Sequence, residues 1–596
     1  MSKKKAHSKK STKPDTTIDG LVHLLEKSQK NFTKFLAAPR QTVTGLLDPF
    51  NVVGPFARSA KQLALHPVKL AKANIDLWQS HMRLWQSTAR RALGQTTKPV
   101  ATTDKGDRRF TSLEWEERAA FDFIRQSYLI TSRWLVDTMS DIEGLSGEDA
   151  HKVRFHTKQL TDALSPSNFL LSNPEIIKET VESRGQNLVR GVKNLARDIK
   201  AGGGTLKMPL TDENAFELGV NIATTPGKIV YQNDLIQLIQ YEPLTKQVYR
   251  RPLLIVPPWI NKYYILDLQP SNSFIRWAVS KGYTVFVTSW VNPDESLSTK
   301  TMDDYLDEGI FAALDAIEAA TGEAEITMIG YCVGGTLTGA ALAYMAAKRD
   351  KRVKATTFFA AQMDFSEAGD LKVFIDEQQL ESLDQRMAEH GYLDGDKMST
   401  AFNMLRANDL IWTVFVNNYL LGKEPMKFDL LYWNADATRM PRTLHMYYLR
   451  ECYLHNNLAK PGGISLHDVP IDLGKVKIPI YLQASIEDHI APYPSVFKAR
   501  QLFSGPVRFM LAGSGHIAGV INPPGAKKYN YWMNEAQPKD LDAWLEGAES
   551  HPGSWWDDWN TWLAPLSGEL VKARKPGAGK LDIIEDAPGS YAKLKS

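Results

Sequence analysis

The chain has 596 residues, a net charge of +3 at pH 7, and 43% hydrophobic and 23% charged residues. These fractions are ordinary for a globular protein, and the length exceeds what one compact core usually holds, so more than one domain is expected. The nearly balanced charge gives no global field that would favour nucleic acid. With only two cysteines, a disulfide framework is excluded, and the reducing cytosol fits this usage.

The first residues carry six lysines before the first acid, Asp15, and no apolar run follows them. This pattern predicts a disordered basic tail over residues 1–17 rather than a signal peptide or a membrane anchor. Elsewhere, no uncharged apolar run reaches the length that spans a bilayer. We therefore expect a cytoplasmic protein without a transmembrane segment.

Residues 18–204 have a mostly helical pattern and are predicted to form an N-terminal domain. In one amphipathic segment Trp78, Met82 and Trp85 share a face, which indicates either packing between helices or contact with an external hydrophobic surface. Gly202 to Gly204 are the clearest linker signal, and strand-like segments begin after them. The domain boundary is therefore placed near Gly204.

The segment Gly330-Tyr331-Cys332-Val333-Gly334 has the spacing of a nucleophile elbow, with cysteine where serine is commoner. An apolar, β-branched run precedes it and a run of small residues follows it, as expected for a strand, a sharp turn and a helix. The flanking glycines suit a strained turn in which larger side chains would clash. The alternative is a buried free cysteine beside a glycine-rich turn.

Two further residues lie in the order that an α/β-hydrolase requires, which is nucleophile, acid, histidine. Asp488 follows the apolar strand that starts at Ile478, and His516 lies in a glycine-rich loop after the next strand, which starts at Val507. They are predicted to be the acid and the base. Glu487 and His489 compete for these two roles.

A cysteine at the elbow favours thioester chemistry. When a thiolate attacks a thioester, one thioester replaces another, so the acyl group stays activated for transfer to an alcohol. A free thiol is only slightly ionised at neutral pH, so His516 is needed to generate the thiolate. Some hydrolases also use an elbow cysteine, so the residue type alone does not decide between transfer and hydrolysis.

No metal-ligand spacing, P-loop or dinucleotide fingerprint occurs in the sequence, so no metal and no cofactor are expected. The second cysteine, Cys452, lies outside any elbow pattern and is predicted to be a packing residue. If the thioester is one such as acyl-CoA, local lysines or arginines must meet its negative charge, but the sequence does not single them out.

The chain resembles the polyhydroxyalkanoate synthases over most of its length, through many short motifs in one order. The matching segments are Thr225 to Gly227, Pro257 to Leu268, Ser289-Trp290, Asn292 to Asp294, Gly330 to Gly335, Asn408 to Trp412, Phe428 to Asn434, Asp488 to Pro492, Gly513 to His516 and Gly553 to Trp556. No single one of these motifs would be specific, whereas their ordered combination is.

The resemblance implies that Cys332 is acylated by a 3-hydroxyacyl-CoA after His516 takes its proton. Asp488 then either orients His516 or helps to activate the 3-hydroxyl group that attacks the next thioester. One oxyanion donor is expected from the backbone N–H of Val333, and a second from the loop after the strand Leu253 to Val256. Within that loop the candidates are Ile260, which we adopt, and Trp259.

The implied activity is polymerisation of 3-hydroxyacyl-CoA into a polyester with release of CoA. The CoA thioester is the substrate, so CoA is not counted as a cofactor. The resemblance further implies a homodimer at the surface of a cytoplasmic polyester granule, with contact to the nascent granule or to granule-coating proteins. Length and the Pro257 to Leu268 segment are most similar to single-subunit synthases of short monomers such as 3-hydroxybutyryl. The alternatives are a thioesterase, lipase or depolymerase on the same fold, and a non-catalytic granule scaffold.

The predicted fold class is α/β, namely an α/β-hydrolase fold over residues 205–596 with a helical N-terminal domain before it. More than a hundred residues with helical stretches separate the strand near Thr356 from the strand at Ile478. An insertion of this kind predicts a helical cap over the active site, at about residues 365–470.

Overall fold

The computed structural model describes residues 51–596 apart from Lys105, Asp141 and Ser596. The predicted basic tail, residues 1–17, lies outside the described residues. Residues Val52–Ser596 form one compact unit. No helix in the described part is long and apolar enough to cross a membrane.

The region before the sheet is helical, as predicted. Its helices are α1 (Val53–Leu65), α2 (Pro67–Ala92), α3 (Glu114–Glu117), α4 (Ala119–Ser140), α5 (Gly147–Ala163), α6 (Pro174–Glu182) and α7 (Gln186–Ala201). On α2, the side chains of Trp78, Met82 and Trp85 are 64%, 38% and 59% exposed. Packing among the described residues therefore does not account for this face, although the rings of Trp85 and Phe123 are 4.7 Å apart.

An eleven-stranded mixed sheet organises the rest of the chain. Its strands are, in sheet order, β15 (Glu549–Pro552), β14 (Asn530–Met533), β13 (Val507–Ala512), β12 (Ile480–Ser485), β7 (Val353–Phe359), β6 (Ile326–Tyr331), β4 (Leu253–Val256), β5 (Val285–Trp290), β2 (Ile236–Tyr241), β1 (Gly227–Gln232) and β17 (Glu585–Asp586). The six strands from β13 to β5 are mutually parallel, and the strands beyond them at both edges are antiparallel.

The central strands are buried along their whole length because both faces of the sheet are covered. Every residue of β4, β5, β6 and β12 is buried. Continuous apolar runs, rather than an alternating pattern, are typical of such doubly covered parallel strands. The remaining short strands are β3 (Gln247–Tyr249), β8 (Tyr392–Leu393), β9 (Met440–Pro441), β10 (Ser465–Leu466), β11 (Val469–Pro470) and β16 (Leu570–Lys572).

Helices connect and cover the sheet. They are α8 (Phe274–Ser280), α9 (Met302–Asp304), α10 (Ala312–Thr321), α11 (Val333–Lys348), α12 (Glu377–Met387), α13 (Gly395–Leu405), α14 (Thr413–Phe415), α15 (Asp429–Ala435), α16 (Arg442–Tyr447), α17 (Tyr493–Leu502), α18 (Leu541–Glu546), α19 (Trp556–Leu563) and α20 (Ser590–Lys593). Between β7 and β12 lie α12 to α16 and three π-helical segments, Asn408–Trp412, Val416–Leu420 and Tyr448–Leu454. This insertion, which we call the cap, lies where the sequence predicts one.

Candidate functional site

The turn between β6 and α11 holds Cys332 at its tip. Cys332 has φ 51° and ψ −126°, a backbone conformation that is strained for a residue with a side chain. A Cβ atom on Gly330 would lie 2.6 Å from the Cα atom of Gly335, and one on Gly334 would lie 2.4 Å from the carbonyl oxygen of Pro257. The glycine spacing is therefore a steric requirement of a turn that presents Cys332 at the carboxyl edge of the sheet.

His516 and Asp488 follow the ends of β13 and β12, and the structure brings them together. The Nδ1 atom of His516 lies 2.7 Å from Oδ2 of Asp488. The Asp488 side chain is fully buried, and its other oxygen accepts the N–H groups of Ile490 and Ala491 at 2.8 and 2.9 Å. An ionised carboxylate only accepts, so Nδ1 of His516 is the donor and its Nε2 is left for another partner.

Cys332 lies close enough to His516 for its charge to act on the imidazole. Burial alone would lower the pKa of His516, but the charges of Asp488 and Cys332 and the hydrogen bond to Asp488 outweigh it and raise the pKa to about 10. The ring of Tyr331 stacks against the imidazole with centroids 5.8 Å apart. This environment favours an imidazole that takes up and holds a proton beside the sulfur.

The two competing residues have different surroundings. Glu487 is exposed, unlike the neighbouring Asp488. Burial lowers the pKa of His489 to about 4, and in the described part of the chain its ring makes no hydrogen bond to Cys332 or Asp488. The geometry therefore pairs Asp488 with His516, as the order of residues along the chain predicts.

The predicted oxyanion donors are backbone N–H groups of Val333 and of the loop after β4. Within the described residues, neither Val333 nor Ile260 donates its N–H to a protein acceptor, and the same holds for Trp259. Val333 is the first residue of α11, so its N–H has no partner within that helix. The structure leaves both loop candidates open.

Tyr448 and Tyr453, on a π-helical segment of the cap, are neighbours of the site that the sequence analysis missed. Burial raises the pKa of both phenols, and the charge of Cys332 raises them further, which places both rings near the sulfur. Their centroids are 5.5 Å apart, and Trp259 is 6.4 Å from Tyr448. Aromatic residues without a spacing signal gave no reason to choose these two.

The other cysteine lies on the same segment. Cys452 is 2% exposed, and burial raises the pKa of its thiol well above the ordinary range. In the described ranges, no group of three or more histidine, cysteine or acidic residues is arranged to hold a metal ion.

Comparison with known proteins gives two family matches. Residues 106–278 match the family described as poly-beta-hydroxybutyrate polymerase (PhaC) N-terminus, and residues 252–523 match the alpha/beta hydrolase fold. The poly(3-hydroxyalkanoate) polymerase of Methylorubrum extorquens is 49% identical over 559 residues, which cover 94% of this chain and 92% of that protein. The chain belongs to the poly(3-hydroxyalkanoate) polymerase family. The predicted α/β-hydrolase fold and the family resemblance are both confirmed.

Other members of the polymerase family are similar over comparable lengths. The PhaC subunit of the poly(3-hydroxyalkanoate) polymerase of Rhizobium meliloti (strain 1021) is 51% identical, with 89% of this chain and 86% of that protein covered. The corresponding subunit of Cupriavidus necator is 41% identical over 89% of this chain and 90% of its own length. Membership therefore extends across the helical region, the sheet and the cap.

Proposed function

We propose that this chain polymerises 3-hydroxyacyl-CoA, with short monomers such as 3-hydroxybutyryl, into a polyester and releases CoA. The observation that carries the proposal is Cys332 at a strained elbow, close to a buried His516 that is itself held by Asp488. Family membership supports polyester synthesis as the outcome. A thiol in this position suits an acyl group that must stay activated until an alcohol arrives.

In the first half-reaction His516 takes the proton of the Cys332 thiol, and the thiolate attacks the carbonyl carbon of the acyl-CoA thioester. The N–H groups of Val333 and of Ile260 or Trp259 stabilise the oxyanion that forms. When the intermediate collapses, the bond to the CoA sulfur breaks and the proton on His516 leaves with CoA. The product is a thioester on Cys332.

In the second half-reaction a 3-hydroxyl group attacks an acyl thioester while His516 takes the hydroxyl proton. An ester bond forms, the thioester bond breaks, and the proton returns to the departing sulfur. Repetition lengthens the polyester by one monomer for each CoA released. Asp488 orients His516 in both steps.

We further propose that the protein acts as a homodimer at the surface of cytoplasmic polyester granules. The exposed face of α2, formed by Trp78, Met82 and Trp85, supports contact with the granule or with a granule-coating protein. Apolar patches of this kind commonly mark interaction surfaces.

The test is product analysis with purified protein and 3-hydroxybutyryl-CoA, repeated with longer acyl groups. The proposal requires insoluble polyester in step with CoA release, and Cys332→Ala should produce neither. Free hydroxy acid in step with CoA would instead identify a thioesterase. If Cys332→Ala released CoA as fast as the parent protein, the site assignment would be wrong, and absence of turnover in the parent would favour a scaffold.

A further inference from the structure

The loop from Pro257 to Lys262, which we call the donor loop, is held by the cap. Side chains of the cap bind backbone carbonyl groups of the loop. The Nε1 atom of Trp433 donates to the carbonyl oxygen of Lys262 at 2.7 Å, and the Oγ1 atom of Thr438 donates to that of Trp259 at 2.5 Å. Between these bonds, Asn261 and Ala437 pair as a short antiparallel bridge. A continuous cap segment therefore runs alongside the loop that carries Ile260.

A buried ion pair lies at the end of this contact. The Nζ atom of Lys262 is 2.7 Å from Oδ1 of Asp436, and the side chains are 2% and 9% exposed. The hydroxyl of Tyr264 donates to the other oxygen of Asp436 at 2.8 Å. Burial lowers the pKa of Lys262, and Asp436 opposes that effect. The carboxylate of Asp436 thus binds the side chain of the last loop residue, Lys262, and that of Tyr264 just beyond the loop.

The sheet side fixes the opposite end of the donor loop. Trp290, at the end of β5, donates its Nε1 to the carbonyl oxygen of Pro257 at 2.8 Å, and the start of α11 at Gly334 packs against that same carbonyl. The first end of the loop is therefore set by the α/β core. The second end, beyond Ile260, is set by the cap.

We propose that Asp436 is a positioning residue for acyl transfer, because its bonds to Lys262 and Tyr264 hold the donor loop where its backbone N–H meets the oxyanion on Cys332. The oxyanion site is then complete only with the cap in place. This inference rests on the proposed function, since it assumes an acyl intermediate on Cys332.

A role of the Lys262–Asp436 ion pair in stability alone can be distinguished from a role in positioning the oxyanion donor. Taking two charges out of water is costly, so a buried ion pair is weak grounds for stability by itself. Orientation of a catalytic donor is sensitive to small displacements, and a shift of about 1 Å can cost about 100-fold in rate. A positioning role should therefore change acyl transfer while the reactivity of the thiol stays the same.

The experiment compares two reactions of Cys332 in the full chain. Alkylation by iodoacetamide needs the thiolate and His516 but no oxyanion donor. CoA release from 3-hydroxybutyryl-CoA needs the thiolate, His516 and the oxyanion donor. For Asp436→Asn we expect kcat for CoA release to fall about 10- to 100-fold. This loss is smaller than the roughly 100- to 1,000-fold loss that is typical when an oxyanion donor is deleted. The KM should stay within about threefold of the parent value. The alkylation rate of Cys332 should stay within about twofold.

Two further variants keep the test decisive if Asp436→Asn folds poorly. Tyr264→Phe removes one hydroxyl and should lower kcat by a smaller factor. The pair Lys262→Met with Asp436→Leu removes both charges and should lower kcat no further than the worse single variant, because the two residues act through one contact. Asp384→Asn is the matched control, since Asp384 pairs with Arg442 in the cap at a half-exposed site.

The outcomes separate this inference from the proposed function. If Asp436→Asn and Tyr264→Phe keep kcat within twofold, the positioning role is wrong. It is equally wrong if alkylation falls in parallel with CoA release, because the whole site has then been disturbed. If the parent protein makes no polyester, the proposed function fails, while any thioester cleavage by the parent still allows the variants to be ranked.

Discussion

The carboxylate of Asp488 is buried and already accepts three hydrogen bonds. One oxygen accepts two backbone N–H groups, the other accepts Nδ1 of His516, and the side chain has no exposed surface. To act on a 3-hydroxyl group, Asp488 would need that hydroxyl to reach a buried carboxylate already bonded to three protein donors. Orientation of His516 is therefore the role that its contacts favour.

Asp488→Asn separates the two roles with a substrate that lacks the 3-hydroxyl group. Under the proposed mechanism, butyryl-CoA should acylate Cys332 and release one equivalent of CoA, but it cannot elongate. If Asp488 orients His516, the single-turnover rate of this release should fall by about 100-fold or more, because the wrong imidazole tautomer becomes available, as in serine protease triads. Rapid-quench measurement of CoA gives the rate.

Glu487→Gln is the matched control, since Glu487 is the exposed neighbour of Asp488, and its rate should match that of the parent protein. If Asp488→Asn released the first CoA at the parent rate and failed only in elongation with 3-hydroxybutyryl-CoA, the carboxylate would act on the substrate hydroxyl instead.

His445, on α16 of the cap, predicts an acid-dependent loss of stability. Burial lowers its pKa from 6.5 to about 4, so the unfolded chain binds the proton first as pH falls. Its contribution to stability is complete above pH 6.5 and is lost towards pH 4, on the order of 3 kcal/mol in total. Urea unfolding between pH 4 and 7 measures this effect. In His445→Gln the free energy of unfolding should fall less steeply with acid than in the parent protein, whereas His390→Gln, at an exposed site, should match the parent.

Secondary-structure elements show which parts of the fold the sequence predicts well. The strand expected after Val507 is β13, and the one expected to start at Ile478 begins at Ile480, because continuous apolar runs mark strands that are covered on both faces. The glycines at 330 and 334 identified the elbow through sterics alone. The antiparallel strands on either side of the parallel set were not predicted, because they lack such continuous apolar runs.

The π-helical segments were also not predicted. Leu306, Ile310, Ala313 and Ile317 are all buried as their spacing requires, yet the segment changes from α9 through a π-helix at Tyr305–Phe311 to α10. An extra residue in a helical turn leaves the apolar pattern nearly unchanged, so periodicity does not detect it. The same limitation hid Tyr448 and Tyr453.

Gly334→Ala tests whether α11 and the donor loop need their close approach. The new Cβ would lie 2.4 Å from a backbone carbonyl that cannot move without shifting the loop. We expect a loss of about 1–3 kcal/mol in the free energy of unfolding, together with lower kcat for CoA release. Urea denaturation and steady-state kinetics measure the two effects.

Gly525→Ala is the control for this substitution, because a Cβ there meets no atom within 4 Å, and it should change stability by less than about 0.5 kcal/mol. A stable, fully active Gly334→Ala protein would mean that the donor loop tolerates displacement, which also argues against tight positioning of its N–H groups.

At the scale of the whole molecule, the N-terminal helices hold the cap. Lys152 of α5 pairs with Asp376 at the start of α12, and Phe155 packs on Phe374 with centroids 5.5 Å apart. On α7, Gly191 lies so close to the cap that a Cβ would be 1.8 Å from the carbonyl oxygen of Tyr419. Motion of the cap therefore involves the N-terminal region as well as the sheet.

These contacts join residues more than two hundred positions apart, and the sequence offered no signal for them. A helical pattern and a Gly202-to-Gly204 linker predict that a separate region exists, but the partners of its polar side chains depend on the assembled fold. The division near Gly204 stays a prediction, as do the roles of the granule surface and the dimer. Similarly, nothing in the sequence links Lys262 with Asp436, because they come together only when the cap is folded against the donor loop.

Two asparagines of α7 provide the last test. Asn187 donates to the carbonyl oxygen of Leu420 at 2.8 Å, and Asn194 donates to those of Asn418 and Lys423 at 3.1 and 3.2 Å. If they hold the cap, Asn187→Ala with Asn194→Ala should raise local opening, since each lost bond is worth about 1 kcal/mol. Together the three bonds are worth about 3 kcal/mol, so limited proteolysis followed by mass spectrometry should show cleavage within the cap about 100-fold faster.

Asn74→Ala is the matched control for these asparagines, because Asn74 is exposed on α2 and, among the described residues, donates to Leu70 of its own helix. Its cleavage rate should equal that of the parent protein. Addition of a non-hydrolysable acyl-CoA analogue should slow cap cleavage in all the proteins if the cap covers a bound substrate. An unchanged digestion pattern in the double variant would mean that the cap is held by the sheet alone, and the N-terminal helices would then have no part in its closure.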